Sequence, residues 1–206
     1  YEGVKITFTN SAITADSNDG LEIDGTNLTI TKSGTYLLSG TCANGSVKVK
    51  KSTTGVTLVL QGLSLTCEGT APLVCGKSTE VTIIVGANTE NTLADTENNN
   101  EENGNTQAEN AVIKCKDGSQ VTLCGTGSLT IQANAKNGIH SGATTQEEGE
   151  AGLTIRELTL NIGAANDAVN AEAVLNVESG NLSISAGDDA LHCDNTLSIG
   201  ADNTQG

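Results

Sequence analysis

The stretch N-D-A-V-N-A-E-A-V-L-N-V-E-S-G-N-L-S-I-S-A-G runs from Asn166 to Gly187, and from Asp188 the chain starts the same line again as D-D-A-L-H-C-D-N-T-L-S-I-G. The two lines align at an offset of about 22 residues, a length typical of stacked structural repeats. The same offset joins the apolar pairs Leu153 and Leu175, Ile155 and Val177, Leu160 and Leu182, and Ile162 and Ile184. Repetition of side-chain type at one fixed period indicates a chain that stacks equivalent units.

Within each line the apolar residues alternate with Thr, Ser or Asn, as in Leu153-Thr154-Ile155 and Val121-Thr122-Leu123, which is the periodicity of a β-strand. Each strand segment is too short to form a sheet alone. Three such segments and three turns per line can close into a coil, and each strand then pairs with its counterparts above and below. An all-β sandwich also alternates in this way but does not repeat at a fixed interval. The sequence therefore predicts an all-β parallel β-helix with three sheets.

The domain organisation follows from the same repetition. We interpret residues 1–206 as one domain, with an N-terminal β cap and irregular first coils over about residues 1–65 and regular coils over about 66–206. The polar insertion from Asp95 to Glu109 has no apolar anchor and is expected to project into solvent. The last line stops soon after Ile199, which predicts either further coils beyond Gly206 or self-association through an open strand edge.

Composition and charge exclude several classes of function. The chain carries 25 Asp and Glu against 10 Lys and Arg, a formal net charge of -15, with no basic cluster that could bind a nucleic-acid backbone. No run of about 18 apolar residues is present, so no membrane insertion is expected. Tyr1, Phe8 and Tyr36 are the only aromatic residues. A sugar site on this chain must therefore be polar or assisted by a metal ion.

Six cysteines are present without a C-x-x-C pair, which argues against a zinc or redox motif and leaves disulfides or buried thiols. Cys75, Cys115 and Cys193 occupy the same position of their repeats. Equivalent positions of neighbouring coils lie about 4.8 Å apart, within the range that a disulfide tolerates. Cys75 and Cys115 are therefore candidates for a disulfide, and Cys42 and Cys67 are further candidates; buried free thiols remain the alternative.

A column of Asn and Asp residues recurs at one turn of successive coils. It consists of Asn137, Asn166, Asp167, Asp188 and Asp189. Stacked carboxylates about 5 Å apart repel one another, and a calcium ion with oxygen ligands relieves that repulsion. The alternative is that Asn and Asp favour turns by bonding to their own backbone. The column is the predicted calcium site, where the ion would bridge to the carboxylate of a uronic acid.

Several motifs resemble a bacterial family of secreted carbohydrate-binding domains. They cover most of the chain and lie at Leu21–Thr41, Val56–Thr66, Ala87–Asp95, Gly125–Ile131, Asn137–Ser141 and Ala164–Val169. The resemblance implies a right-handed, single-stranded, pectate-lyase-like β-helix that binds cellulose and acidic pectic polymers with calcium and without cleavage, outside the cell or at its surface. Ala168 and Ala190 stand where the family usually has Gly after its Asn-Asp or Asp-Asp pair.

Two other functions are open. Gly187–Cys193 is similar to the paired-aspartate signature of polygalacturonases, but their downstream Gly-His-Gly and Arg-x-Lys are absent from this sequence. A lyase needs a positively charged base beside calcium, and Arg156 is the only Arg of the sequence. His140 and His192 are interpreted as turn or surface groups that lie on different columns, and therefore not as a catalytic pair. Ahead of this enzyme hypothesis stands a structural or adhesive surface or fibre subunit that assembles through its coil ends.

Overall fold

The structure, a computed structural model, describes residues 1–143 and 152–200. The predicted continuation beyond Gly206 lies outside these residues. The N-terminal cap contains two antiparallel hairpins, β1 (Val4–Phe8) with β2 (Ile13–Ala15) and β3 (Leu21–Asp24) with β4 (Asn27–Ile30). All other strand pairs that the structure describes are parallel.

After the cap the chain forms a series of strands whose pairing repeats at a fixed interval. They are β5 (Gly34–Cys42), β6 (Ser46–Val49), β7 (Val56–Cys67), β8 (Leu73–Cys75), β9 (Glu80–Val85), β10 (Glu90–Asp95), β11 (Ala111–Cys115), β12 (Gln120–Gly125), β13 (Ser128–Ala133), β14 (Asn137–Ser141), β15 (Leu153–Ile155), β16 (Thr159–Ala164), β17 (Val169–Ala171), β18 (Val174–Val177), β19 (Asn181–Ala186), β20 (Leu191–Cys193) and β21 (Thr196–Ile199). From β8 onward each strand pairs with the strand three places later.

This order produces two sheets. In the large sheet the long strand β7 pairs with both β9 and β10, and two arms lead away from it. Arm 1 is β9, β12, β15, β18 and β21, and arm 2 is β10, β13, β16 and β19. The small sheet runs β20-β17-β14-β11-β8-β6-β4-β3. The all-β, mainly parallel architecture predicted from the sequence is confirmed, and the right-handed β-helix stays a prediction.

Strand register follows the alternation of apolar and polar residues. Leu153 pairs with Leu175, and Leu160 pairs with Leu182, so each leucine lies against its equivalent in the next coil. The inward side chains form continuous buried stacks, one of which is Ile83, Leu123, Ile155 and Val177. Burial of each such side chain contributes about 1.5–3 kcal/mol. Aliphatic stacks of this kind supply the core that a chain with three aromatic residues needs.

Most residues of the insertion 95–109 are exposed, as expected, but the insertion has a buried polar anchor that the sequence did not predict. Asn99 is completely buried, and its Nδ2 donates to Asp95 Oδ2 and to the Ala111 carbonyl, both at 2.9 Å. Its Oδ1 accepts from the Glu109 backbone N–H at 2.7 Å. A short 3-10 turn at Glu101–Asn103 follows. The insertion is anchored by one buried amide instead of apolar side chains, because an amide can satisfy three backbone and carboxylate partners at once.

Helical structure in the described part of the chain is confined to that 3-10 turn. No helix there has the length and apolarity needed to cross a membrane.

Candidate functional site

Three strands of arm 2, β13, β16 and β19, present an outward surface without charge, whereas the remaining strand, β10, carries the exposed Glu90 beside Ser128. In each of β13, β16 and β19 three alternate residues point away from the core, and the strands are paired in register. These nine residues form what we call the uncharged face: Ser128, Thr130, Gln132, Thr159, Asn161, Gly163, Asn181, Ser183 and Ser185. In a chain with a net charge of -15, a face made only of hydroxyl groups, amides and one glycine is a distinct surface.

A shallow trough follows β16 along this face. One depression of about 320 Å³ is lined by parts of β13, β16 and β19, including Thr130, Asn161 and Ser183. A second, of about 500 Å³, continues past the end of the strands to Asn134. Both depressions share Gln132 and Gly163. The trough therefore crosses the stack of coils along the direction of one strand.

Arm 1 carries a similar polar column with charges beside it. The outward column consists of Thr57, Thr82, Thr122, Thr154, Asn176 and Ser198, each paired in register with the next. Two residues after Thr154 and Asn176 stand Arg156 and Glu178, whose side chains are 3.7 Å apart. The polar column of arm 1 thus resembles that of β13, β16 and β19 in strand pairing and differs from it in the charged pair beside it.

The Asn and Asp column forms a hydrogen-bonded ladder between coils. Asn137 Oδ1 accepts from the Asp167 backbone N–H and from Asn166 Nδ2, both at 3.2 Å. Asp167 Oδ1 accepts from the Asp189 backbone N–H at 3.1 Å, and its Oδ2 accepts from the Asn170 amide at 2.7 Å. The structure therefore brings Asn137, Asn166, Asp167 and Asp189 together. Asp188 joins them through its backbone N–H, which donates to the Asn166 carbonyl at 3.2 Å.

The ladder provides an incomplete calcium site. Calcium binds about 6 to 8 oxygen ligands. Both carboxylate oxygens of the buried Asp167 already accept hydrogen bonds, so this carboxylate is stabilised without a cation. Across residues 1–143 and 152–200, no group of three or more His, Cys, Asp or Glu residues is arranged to hold a metal ion. The exposed carboxylates of Asp188 and Asp189 are the remaining ligands that the ladder offers. Calcium at this place stays a prediction.

The assignment of His140 and His192 to different columns is wrong. Lys114 pairs with His140, His140 with Asn170, and Asn170 with His192, so all four lie in one outward column of the small sheet. The signal was present in the repeat, because each is the middle residue of an apolar-x-small triplet such as Leu191-His192-Cys193. Because the insertions between the repeats differ in length, the number of residues between the two histidines does not show that they occupy equivalent positions.

The two histidines have opposite electrostatic environments. His140 is half-buried beside Lys114, and burial lowers its pKa, although Glu172 Oε1 lies 3.1 Å from its Nε2. His192 is exposed, and its two ring nitrogens lie 2.8 Å from Asp194 Oδ1 and 3.2 Å from Asp189 Oδ2. These two hydrogen bonds, that to Asp194 first, raise its pKa. Burial also lowers the pKa of Lys114.

We expect His192 to titrate above the ordinary histidine pKa of 6.5 and His140 to titrate below it. The folded state binds the His192 proton more tightly, so that contribution to stability is present below pH 6.5 and is lost as pH rises through the raised pKa. For His140 the sign is reversed, and stability is lost as pH falls below 6.5. NMR titration of the two imidazoles measures both values.

Asp194→Asn is the matched variant for this titration. It should lower the pKa of His192 and leave that of His140 where it was, because Asp194 provides the largest of the effects on His192. An unchanged His192 titration in this variant would show that the Asp194 carboxylate does not raise the pKa of His192.

The cysteines are free thiols in the structure. Cys75 and Cys115 are paired in register and fully buried, and a hydrogen bond between the two thiols raises the pKa of Cys75. Burial raises the pKa of Cys67 to about 11. Cys42 pairs with Leu65, two residues before Cys67, so that pair is out of register. A disulfide between Cys75 and Cys115 stays a prediction.

Comparison with known proteins assigns the family. The sequence model for the family described as carbohydrate-binding domain-containing protein matches residues 24–203, which is most of the chain. The chain belongs to this family. The resemblance inferred from the motifs is thereby confirmed. A relative with the same description, from Acetivibrio thermocellus, is 36% identical to this carbohydrate-binding domain over 137 residues. The match covers 66% of the chain and 47% of that protein, so the chain spans about half the length of this relative.

A solved structure supports the fold of the carbohydrate-binding domain. It is described as the polysaccharide lyase-like protein from C. thermocellum, in a gadolinium derivative. The two chains superpose with a TM-score of 0.68 at 24% sequence identity, and the alignment covers 98% of each. At that identity the likeness concerns the fold alone.

Proposed function

We propose that this carbohydrate-binding domain binds an extended, neutral plant-type polysaccharide such as cellulose on the uncharged face, without cleaving it. The uncharged face is the observation that carries the proposal. Neutral sugars present hydroxyl groups that both donate and accept hydrogen bonds. Ser, Thr, Asn and Gln side chains match them because they also do both. Asp and Glu only accept when ionised, and Lys and Arg only donate.

The charge of the chain favours a neutral polymer over an acidic one at this face. A protein with a net charge of -15 repels a polyuronate at long range. The uncharged face has no cation that would offset this repulsion, since none of its nine residues is Lys, Arg or His. A neutral glucan experiences no such repulsion.

The face supports weak binding spread over many contacts. Its strands are about 4.8 Å apart, and alternate residues along one strand are about 6.6 Å apart, so the side chains form a regular grid. A net hydrogen bond contributes about 0.5–1.5 kcal/mol. Four or five of them correspond to a dissociation constant of about 1 mM for one site. Without aromatic platforms, useful retention on a fibre therefore requires several adjacent sites.

An acidic pectic polymer bound through calcium at the Asn and Asp ladder is the second candidate. The exposed carboxylates of Asp188 and Asp189 at the end of the ladder favour it, because they would repel each other less with a dication between them. This binding would be lost on chelation, whereas binding of a neutral glucan at the uncharged face would not.

Affinity electrophoresis distinguishes these functions. The chain is run in gels with a soluble cellulose derivative or with polygalacturonate, each with and without a chelator, and the polymer is then analysed for products. Retardation by the neutral polymer that survives chelation is the expected result. Retardation only by polygalacturonate with calcium would favour the ladder, and shortened polymer would mean an enzyme.

Two matched triple variants test which arm of the large sheet binds the glucan. Thr130→Ala, Asn161→Ala and Ser183→Ala together remove the central outward column of the uncharged face. We expect them to weaken glucan binding at least about tenfold, since each side chain lost removes about 0.5–1.5 kcal/mol.

The control removes the same central column from arm 1: Thr122→Ala, Thr154→Ala and Asn176→Ala. It should bind like the unaltered chain. Equal weakening of both triple variants, or of neither, would contradict the placement on arm 2.

Polysaccharides of this kind lie outside cells, so we propose that the domain acts as a secreted or cell-surface protein.

The structural alternative, assembly through coil ends, is tested separately by size-exclusion chromatography over a range of concentrations. Leu197 and Ile199 of the last described strand are exposed, at 41% and 65%, and would be covered in such an assembly.

A further inference from the structure

Gly163 differs from the other glycines whose surroundings the structure describes. A Cβ built on it would have no heavy atom within 4 Å. Four other glycines have the same open space, but each has a positive φ that favours glycine: Gly25, Gly62, Gly104 and Gly200. Gly163 has no such φ. Neither backbone conformation nor packing in the described residues therefore requires a glycine at this position.

The strand around Gly163 is regular. It pairs with Gln132 of β13 on one side and with Ser185 of β19 on the other, and both ladders run through it without a shift of register. A glycine inside a strand weakens it, because the unfolded chain has more freedom to lose and no side chain packs on the neighbours. Strand glycines mark a bulge, a tight bend, or a place where another group approaches the backbone closely. The register excludes the bulge.

We propose that Gly163 is the specificity-determining residue of the uncharged face, where a pyranose ring of the neutral polysaccharide rests against the backbone of β16. This inference rests on the proposed function. The polymer then lies in the trough along β16, and the ring occupies the gap between Gln132 and Ser185. Both of these side chains are exposed and carry groups that donate and accept hydrogen bonds.

The dimensions of the gap suit a single ring. Gln132 and Ser185 stand on strands that are two spacings apart, about 9.6 Å between Cα atoms. The backbone N–H and C=O groups of β16 bond to β13 and β19 in the parallel ladders. The backbone groups at the floor of the trough are therefore uncharged, and most of them are already hydrogen-bonded. Such a floor suits the C–H face of a sugar, while the hydroxyl groups at the ring edge reach the side chains of Gln132 and Ser185. Gly163 would then provide the flat contact that an aromatic ring provides in other sugar sites.

Gly163→Thr tests the inference, because Thr matches its neighbours on the uncharged face and suits a strand. The thermal unfolding midpoint should rise or stay unchanged, since the added side chain meets open space. Retardation by the soluble cellulose derivative should fall at least about tenfold in apparent affinity, because the side chain fills the floor of the trough. A variant that loses binding while its stability is kept is the expected combination. Gly163→Ala provides a smaller step in the same direction if the threonine variant folds poorly.

The control adds bulk at an outward position of arm 1. Asn176→Gln lengthens a side chain of the other polar column and should leave binding unchanged. Full glucan binding by Gly163→Thr, in a chain whose binding is weakened by the triple variant at Thr130, Asn161 and Ser183, would overturn this inference and leave the proposed function standing. If the unaltered chain is not retarded by the neutral polymer, the proposed function fails and this inference fails with it.

Discussion

Asn99→Ala is expected to lower the free energy of unfolding by about 3–5 kcal/mol, because two buried groups and one half-buried group lose a hydrogen bond and a buried group costs about 1–3 kcal/mol when left unsatisfied. These groups are Asp95 Oδ2, the Ala111 carbonyl and the Glu109 N–H. The loss at Asp95 is the most severe, because burial already raises the pKa of this carboxyl group. The same carboxylate also accepts from the Asn134 N–H at 2.7 Å, so the effect reaches the next coil.

Urea unfolding measures this change as a lower midpoint concentration of urea. The m-value stays the same if unfolding of the variant exposes the same surface area. Asn98→Ala is the matched control, since it removes the same side chain from an exposed position in the same loop. Its effect should stay within about 0.5 kcal/mol. Similar midpoints for the two variants would show that the buried amide does not anchor the insertion.

Gly125→Ala should destabilise the fold by about 3 kcal/mol or more. Gly125 ends β12 with a φ of +114, and a Cβ there would lie 2.2 Å from the Val85 carbonyl oxygen and 2.7 Å from the Val85 nitrogen. Both are backbone atoms of the neighbouring coil, so the clash can be relieved only by breaking the ladder between β9 and β12. The corner between the two arms of the large sheet is therefore specified by this glycine.

The control separates the clash from the conformational cost. Gly62 has a φ of +76 and open space around its Cβ position. Gly62→Ala should therefore cost only about 1–2 kcal/mol, the penalty of the left-handed conformation for an L-residue. Thermal or urea unfolding of both variants measures the difference. If Gly125→Ala were no worse than Gly62→Ala, the close approach of Val85 would not limit the corner.

The parallel strand pairing was predictable because its causes are local and repeated. Leu160 and Ile162 occupy the same positions of their line as Leu182 and Ile184, and that identity alone predicts which residues pair. The shared column of His140 and His192 was predictable in principle from the same triplets. It was missed because the turns between the strands differ in length. The spacing of equivalent residues along the chain therefore varies, although the strands stay in register.

Other features depend on contacts that no local pattern records. Asn99 stands in a run of Asn and Glu, and nothing beside it in the sequence distinguishes the buried amide from the exposed one at Asn98. The uncharged face likewise appears only when β13, β16 and β19 are placed side by side. Gly163 then becomes informative, since its neighbours Gln132 and Ser185 belong to the preceding and the following coil and are distant from it in the chain.

The unequal spacing of paired strands also bears on how the chain folds. In the small sheet Val169 and Leu191 are one regular coil apart, whereas the segment between Leu73 and Ile113 is nearly twice as long and contains the Asn99 loop. Closing the longer segment costs about 0.5 kcal/mol more in chain entropy. Contacts at such separations make folding slow compared with that of helical proteins of this size. Among the strand pairs of the small sheet, the one between β8 and β11 therefore has the largest entropic cost of closure, and the Asn99 amide holds the segment that imposes this cost.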